Sequence, residues 1–304
     1  MNPFDKMNGI RYLERKEIDH AKWDTCINKA PNKNIYGYVE YLDIMAKHWG
    51  AIVIHDYEAV LPLPWKKKWG FEYLYTPRFT SPLAVYGQIP DSMDITQILD
   101  HIPKKFRLWD INLVNDLSLY SSNTVKRKNH ELNLIAPYEA IRKKYRTSYR
   151  SLLSQAGNHI RKTNSIDDII QLAAGKKHIE GTTADDYARF QHLFNHLEKK
   201  GMAQCYVNYS QTNDLLAAAV FFITSNRIYY MLAWNSEEGR NKGASHQLID
   251  AVIKEYAGKE YWLDFEGSDI PGIAFFFEGF GADATDYYYL RENRLPWWCA
   301  WIKK

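Results

Sequence analysis

Two apolar runs dominate the second half of the chain. LLAAAVFFI (215–223) and RIYYMLAWN (227–235) flank Thr-Ser-Asn, the pattern of two buried antiparallel strands joined by a tight turn. Ahead of them, TTADDYARFQHLFNHLEKKG opens on cap-forming residues and spaces Tyr187, Phe190, Leu193, Phe194 and Leu197 along one helical face. After them come a loop and helix with Leu248, Ile249, Val252 and Tyr256 apolar, a strand in YWLDFEG, a short helix in DIPGIAFFF that ends near Gly279, and a last strand in DYYYLRE. Ser268 or Asp269 is the expected N-cap of that short helix. This order predicts a mixed α/β fold.

The first half follows a similar plan. GIRYLE alternates like a strand, and helical spacing places Trp23, Cys26 and Ile27, then Tyr38, Leu42 and Met45, on apolar faces. AIVIHDYEAVLPLPW reads as a hairpin turning at Asp56-Tyr57-Glu58. FEYLYTPRFTSPLAVYG reads as a strand broken by Pro77 and Pro82, and a helix near Ile95–Ile102 leads to the strand RLWDINL. Between the halves, residues 126–162 change character: KRK, RKK and RTSYRSLLSQAGNHIRK predict one basic helix. It would carry Arg142, Arg146 and Arg150 on one stripe and Tyr145, Tyr149, Leu152 and Ala156 on another.

A length of 304 residues favours two domains. The aromatic share of 15% supplies large ring-filled cores or an aromatic-lined cleft. A net charge of +3 is too small to imply nucleic-acid binding by itself. Cys26, Cys205 and Cys299 are odd in number and far apart, so neither a disulfide framework nor a metal site is expected, and a reducing cytoplasm follows. The first residues lack the apolar core of a signal peptide, and no run is long enough to span a bilayer. The tail RLPWWCAWIKK sets Trp297, Trp298 and Trp301 beside Lys303 and Lys304, so it either closes the core or touches a membrane face.

The strand-to-helix connection SEEGRNKGASHQL holds the clearest candidate chemistry. Main-chain amides of such a loop and of the first helical turn point outward, which suits a phosphate. Gly243 and Ala244 permit close approach, and Arg240 and Lys242 add charge. His246, in that turn, is either a base, a ligand or a capping residue.

Arg240-x-x-Gly243-Ala244 after a strand hairpin resembles the GNAT acyltransferase superfamily, with Ser245 where the pattern usually has Gly or Ala. LDFEGSDIPGIAFFFEGFGA resembles the FemAB-like branch, whose members carry two GNAT-like domains in tandem. KKYRTSYRSLLSQA is similar to the Arg-rich helix of that branch, and YTPRFTSPLAVYG to a stretch of its bacterial members. The resemblance implies two domains, each a mixed, mostly antiparallel sheet flanked by helices. It places a degenerate first domain at 1–135, the basic helix at 136–162 and a donor-binding domain at 163–304. It also implies transfer of an acyl or aminoacyl group, from acyl-CoA or aminoacyl-tRNA and without a metal, to the amine of a small molecule or cell-wall precursor.

On that resemblance, Leu232, Ala233 and Trp234 would offer an oxyanion donor, and Arg240, Asn241, Lys242, Gly243, Ala244 and Ser245 would hold the donor's phosphates. Asp264 and Glu266, two apart on a strand, would share a face and act as base and amine orienter; otherwise they cap the next helix or pair with Arg291 and lysines. Tyr287, Tyr288 and Tyr289 alternate across the last strand; Tyr288 would protonate the leaving group or simply pack. Arg142, Arg146 and Arg150 would grip phosphates of tRNA or a lipid-linked precursor, or form a solvated face. Arg78 and Phe79 would line the acceptor groove. A binding module without turnover and an RNA-contacting factor using the basic helix remain alternatives. Residues 163–201 leave little room for the helical-hairpin insertion of some Fem-type proteins.

Overall fold

The computed structural model describes residues 9–118, 120–154, 159–176, 181–267 and 270–295. In chain order its elements are β1 (Ile10–Glu14), α1 (His20–Lys29), α2 (Val39–Met45), β2 (His48–Ile54), β3 (Ala59–Lys68), β4 (Phe71–Tyr75), β5 (Tyr86–Gly87), α3 (Ile95–Asp100), β6 (Phe106–Leu113) and β7 (Thr124–Asn133). They continue with α4 (Tyr138–Lys143), α5 (Thr147–Ser154), β8 (His159–Thr163), α6 (Asp167–Lys176), α7 (Ala184–Glu198), β9 (Ala203–Tyr209), β10 (Leu215–Ile223) and β11 (Arg227–Asn235). The last are α8 (Glu237–Asn241), α9 (Ala244–Tyr256), β12 (Trp262–Asp264), α10 (Pro271–Glu278) and β13 (Asp283–Asn293).

The chain divides into two compact units, residues 1–127 with 286–304 and residues 128–285. In the first, the strands run β1-β2-β3-β4-β6-β13, antiparallel except for the parallel pair β4/β6. In the second they run β8-β9-β10-β11-β12-β7, again antiparallel except for one parallel pair, β11/β12. The two orders match strand for strand, and the sixth strands are exchanged along the chain. β7, which follows β6, pairs with β12; β13, which follows β12, pairs with β6 through the register Tyr288↔Leu113 to Asn293↔Leu108. The expected boundaries at 135 and 163 therefore differ from those of the units. Alternation along DYYYLRE reveals a strand and is silent about its partner.

Apolar faces account for both cores. In the first unit, Trp23 and Ile27 of α1 and Leu42 of α2 bury against Trp49, Val53 and Val60, with Trp23 edge-on to Trp49 at 5.3 Å. Asp19 caps α1 by accepting from the Lys22 amide. In the second unit, Leu248, Ile249, Val252 and Ile253 of α9 pack on Ala217, Ala219 and Phe221 of β10, together with Phe277 and Phe280. The opposite face of β10 takes α7, with Phe190 5.5 Å from Phe222. α7 starts on a capping box between Thr183 and Asp186. Among the described residues, no helix is long and apolar enough to cross a membrane.

One predicted element is replaced. The single basic helix is two short ones, α4 and α5, broken at Lys144–Arg146. The Arg146 amide bonds Gly279 O at 2.9 Å instead of continuing the helix, and its guanidinium bonds Phe275 O at 2.6 Å. The Arg142–Arg146–Arg150 stripe therefore does not form on one helix. Ala156, the expected cap at Ser268 or Asp269, and the tryptophan-rich tail with Cys299 lie outside the described residues.

Candidate functional site

In the second unit the parallel pair separates. β11 and β12 pair only over Arg227↔Trp262, Ile228↔Leu263 and Tyr229↔Asp264. β12 stops there, while β11 runs on to Asn235, held on its other side by β10 up to Asn235↔Ala217. A register shift opposite Val220 and Phe221 passes over Met231. Beyond Tyr229 the β12 side of β11 carries no strand among the described residues. A strand edge of this kind presents main-chain groups to water or to a ligand. Leu232 on it is buried, Ala233 exposed and Trp234 half-buried. Helix α6 lies against β11.

Local chemistry explains why β12 ends. Glu266 and Gly267 both adopt left-handed backbone, φ 63° and 74°. The Asp264 carboxylate accepts the Glu266 amide at 3.0 Å, an Asx turn that leads the chain out of the strand. Glu266 thus lies past the strand end, and the expectation that Asp264 and Glu266 share a strand face is corrected: period two holds only while the chain stays extended.

Asp264 is buried in a charged cluster. Arg227 Nη1 reaches Glu131 Oε1 at 2.6 Å and Asp264 Oδ2 at 2.8 Å, and Asn129 Nδ2 donates to Asp264 Oδ1 at 2.9 Å. Burial and the neighbouring Asp264 raise the Glu131 carboxyl above its usual range, against the pull of Arg227. Burial lowers the Arg227 pKa, while the two carboxylates more than restore it, so the guanidinium stays charged. The cluster bridges β7, β12 and β11 along their short paired stretch, from Arg227 on the first β11/β12 rung to Asp264 on the last. Asp264 acts there as an ion-pair partner, of Arg227 rather than of Arg291 or a lysine.

The connection after β11 also differs from the expected open loop. Residues 237–241 form α8, capped by Ser236, whose hydroxyl accepts the Gly239 amide at 2.8 Å. A Cβ at Gly239 would stand 2.0 Å from Leu216 O, so this close approach requires glycine. The Arg240, Lys242 and Gly243 amides bond Ser236 O, Glu238 O and Arg240 O at 3.0, 2.9 and 3.2 Å. The amides of Ala244, Ser245 and His246, the first turn of α9, have no acceptor among the described residues. The amide cradle expected over 240–246 therefore narrows to residues 244–246. Gly243 starts that turn with φ 65°, and a Cβ there would meet Leu152 at 2.2 Å, so α5 covers its outer side. Arg240, Asn241 and Lys242 are exposed, and Lys242 pairs with Glu238 at 2.7 Å.

Two residues that the sequence reading missed hold this turn from beneath. Asn208, fully buried in β9, donates to Ala244 O at 3.0 Å and to Gln247 Oε1 at 3.3 Å; Gln247 donates to Lys242 O at 3.1 Å. An amide inside the apolar strand AQCYVNY was the available signal. His246 sits edge-on to Tyr149 and Phe276 at 4.4 and 4.7 Å, and burial lowers its pKa to about 4. It is neutral at physiological pH.

The remaining expected residues are dispersed. Arg146 anchors α10 through Phe275 and Glu278, and Arg150 turns back to Lys143 O and Thr147 Oγ1. Arg142 is half-buried in α4. Arg78, Phe79 and Tyr288 belong to the first unit. Arg78 is exposed; Phe79, at φ 58°, accepts the Tyr41 hydroxyl on its carbonyl at 2.6 Å; Tyr288 is hydrogen-bonded to Asp116, which raises its pKa. Among the described residues no His, Cys, Asp and Glu group is arranged to hold a metal ion.

No family model matches the chain, and no curated protein matches it. Solved structures do. FemX aligns over 92% of this chain and 97% of its own, with TM-score 0.64 and 12% identity. L-PGS from Bacillus licheniformis aligns over 95% and 96%, with TM-score 0.56 and 14% identity. A tandem GNAT protein from the clavulanic acid biosynthesis pathway, solved without AcCoA, aligns over 94% and 99%, with TM-score 0.52 and 11% identity. The chain shares the fold of FemX and of the tandem GNAT protein, a mixed α/β architecture built here from two units with matching strand orders.

Proposed function

We propose that this protein transfers an acyl or aminoacyl group from an activated donor, acyl-CoA or aminoacyl-tRNA, to an amine. The observation that carries the reading is the parting of β11 from β12 beside the first turn of α9. The Ala233 main-chain amide, which strand alternation turns away from β10, polarises the donor carbonyl. The Ala244, Ser245 and His246 amides attract donor phosphates, with Arg240, Asn241 and Lys242 adding exposed polar and charged groups. The amine attacks, a C–N bond forms, the donor's C–S or C–O bond breaks, the amine proton leaves to water or Glu266, and the departing sulfur or oxygen takes up a proton from solvent. Asp264 supports this site as a strand clamp and not as a base. The tandem GNAT protein of this fold, whose structure was solved without AcCoA, supports an acyl-CoA as one class of donor.

A binding module without turnover is the second reading. It is favoured by Leu152 over Gly243 and by the engagement of Asp264 with Arg227. Purified protein incubated with labelled acyl-CoAs or aminoacyl-tRNA and a panel of amines separates the two. Label in an amide product supports transfer; donor binding without product supports the module; neither binding nor product removes both.

A further inference from the structure

Helix α10 leaves an apolar surface in water. Ile270, Ile273 and Phe275 are 61%, 40% and 58% exposed. Pro271 and Gly272 between them are exposed too, and α10 has no charged residue before Glu278. Its inward side is fully occupied: Phe277 stacks on Phe265 at 4.4 Å, and Phe276 meets Tyr149 and His246. The helix is apolar all round while only one side is buried, which marks the other as an interaction surface.

A basic corner adjoins it. Arg146 lies 3.4 Å from the Phe275 ring centroid, Lys144 packs at Gly281, and Tyr149 donates to Phe276 O at 3.2 Å, so the α4–α5 turn sits on the C-terminal half of α10. Over residues 138–154 the chain carries Arg142, Lys143, Lys144, Arg146 and Arg150 against Glu139 alone. Lys143 and Lys144 are exposed, and Glu278 is held by Arg146 at 3.3 Å and approached by His130 at 3.7 Å.

We infer that this surface docks on an anionic lipid bilayer, with Ile270, Ile273 and Phe275 entering the headgroup boundary and Lys143 and Lys144 meeting lipid phosphates. Apolar side chains beside a cationic fringe match both layers of such a surface. A second copy of the chain, paired through the same patch, would set two basic corners against each other. RNA would complement the charge and leave the isoleucines and phenylalanine in water. The inference goes beyond group transfer and stands without it.

Co-sedimentation of the full chain with phosphatidylglycerol/phosphatidylcholine vesicles tests it. Binding is expected at low salt and should be at least about tenfold weaker to neutral vesicles or at high salt. Combining I273S with F275S should lower binding about tenfold or more. Combining K143Q with K144Q should lower it about tenfold on anionic vesicles only. All four side chains are exposed, so circular dichroism and melting should match the parent. The inference is overturned if the parent ignores anionic vesicles, or if the serine pair binds as well as the parent. A parent dimer that the serine pair dissociates overturns it as well, because the face then joins copies.

Discussion

Each unit contains one parallel strand pair, and the two pairs end differently. In the first unit β6 outruns β4, and the chain itself fills the gap. Thr76 donates to Asp110 O at 3.0 Å and accepts the Asn112 amide on its hydroxyl at 2.8 Å; Leu83 bonds Asn112 O at 3.0 Å, and Val114 bonds Leu83 O at 2.8 Å. In the second unit β11 outruns β12, and no strand follows along it among the described residues. The same plan is closed by residues 76–84 in the first unit, whereas no described strand closes it in the second. The two units thus differ in main-chain hydrogen bonding at the end of the parallel pair, before any catalytic side chain is considered.

This contrast can be broken at its clamp. Arg227→Ala leaves Glu131 and Asp264 without their cation and should cost about 3–5 kcal/mol in chemical denaturation; a loss well under 1 kcal/mol would mean that the cluster does not hold the strands. Gly239→Ala forces a Cβ against Leu216 O and should cost about 2–3 kcal/mol by the same assay, with α8 released from the end of β10.

His246 gives the second unit a pH signature. Its folded pKa lies near 4 against 6.5 for the free side chain, so the unfolded state binds the extra proton. Stability is then full above about pH 6.5 and falls as pH drops towards 4, by about 2 kcal/mol between pH 7 and pH 5. His246→Leu should lack that share of the fall in paired denaturation curves. The smallest effect is expected in the first unit: Thr76→Val removes the acceptor of the Asn112 amide and should cost about 1 kcal/mol, together with faster hydrogen exchange over residues 76–84.

Much of the fold was legible because apolar periodicity is a local property. β10, β11, α7 and α9 fall where LLAAAVFFI, RIYYMLAWN and the two helical stripes place them, with Leu193, Phe194, Leu248 and Val252 buried. What was missed depends on partners distant in sequence. β7, read as TVKRKNHELN, is too charged to look like a strand, and its inner residues Asn129 and Glu131 become intelligible only beside Arg227 and Asp264. The arginine spacing in 142–150 fits a helix, and bonds from Arg146 to α10 break it. The glycine at 243 and the small residue after it were visible in the motif. Gly239, Asn208 and Gln247, which hold that turn, carried no motif at all.

Hydrogen exchange of the whole chain, with and without a CoA thioester and with and without aminoacyl-tRNA, tests the central claim most directly. Peptides covering residues 230–235 and 244–247 should slow when the true donor is added, while those covering 72–84 stay unchanged. A donor that is turned over or bound without slowing 230–247, or that slows 72–84 instead, would contradict the account.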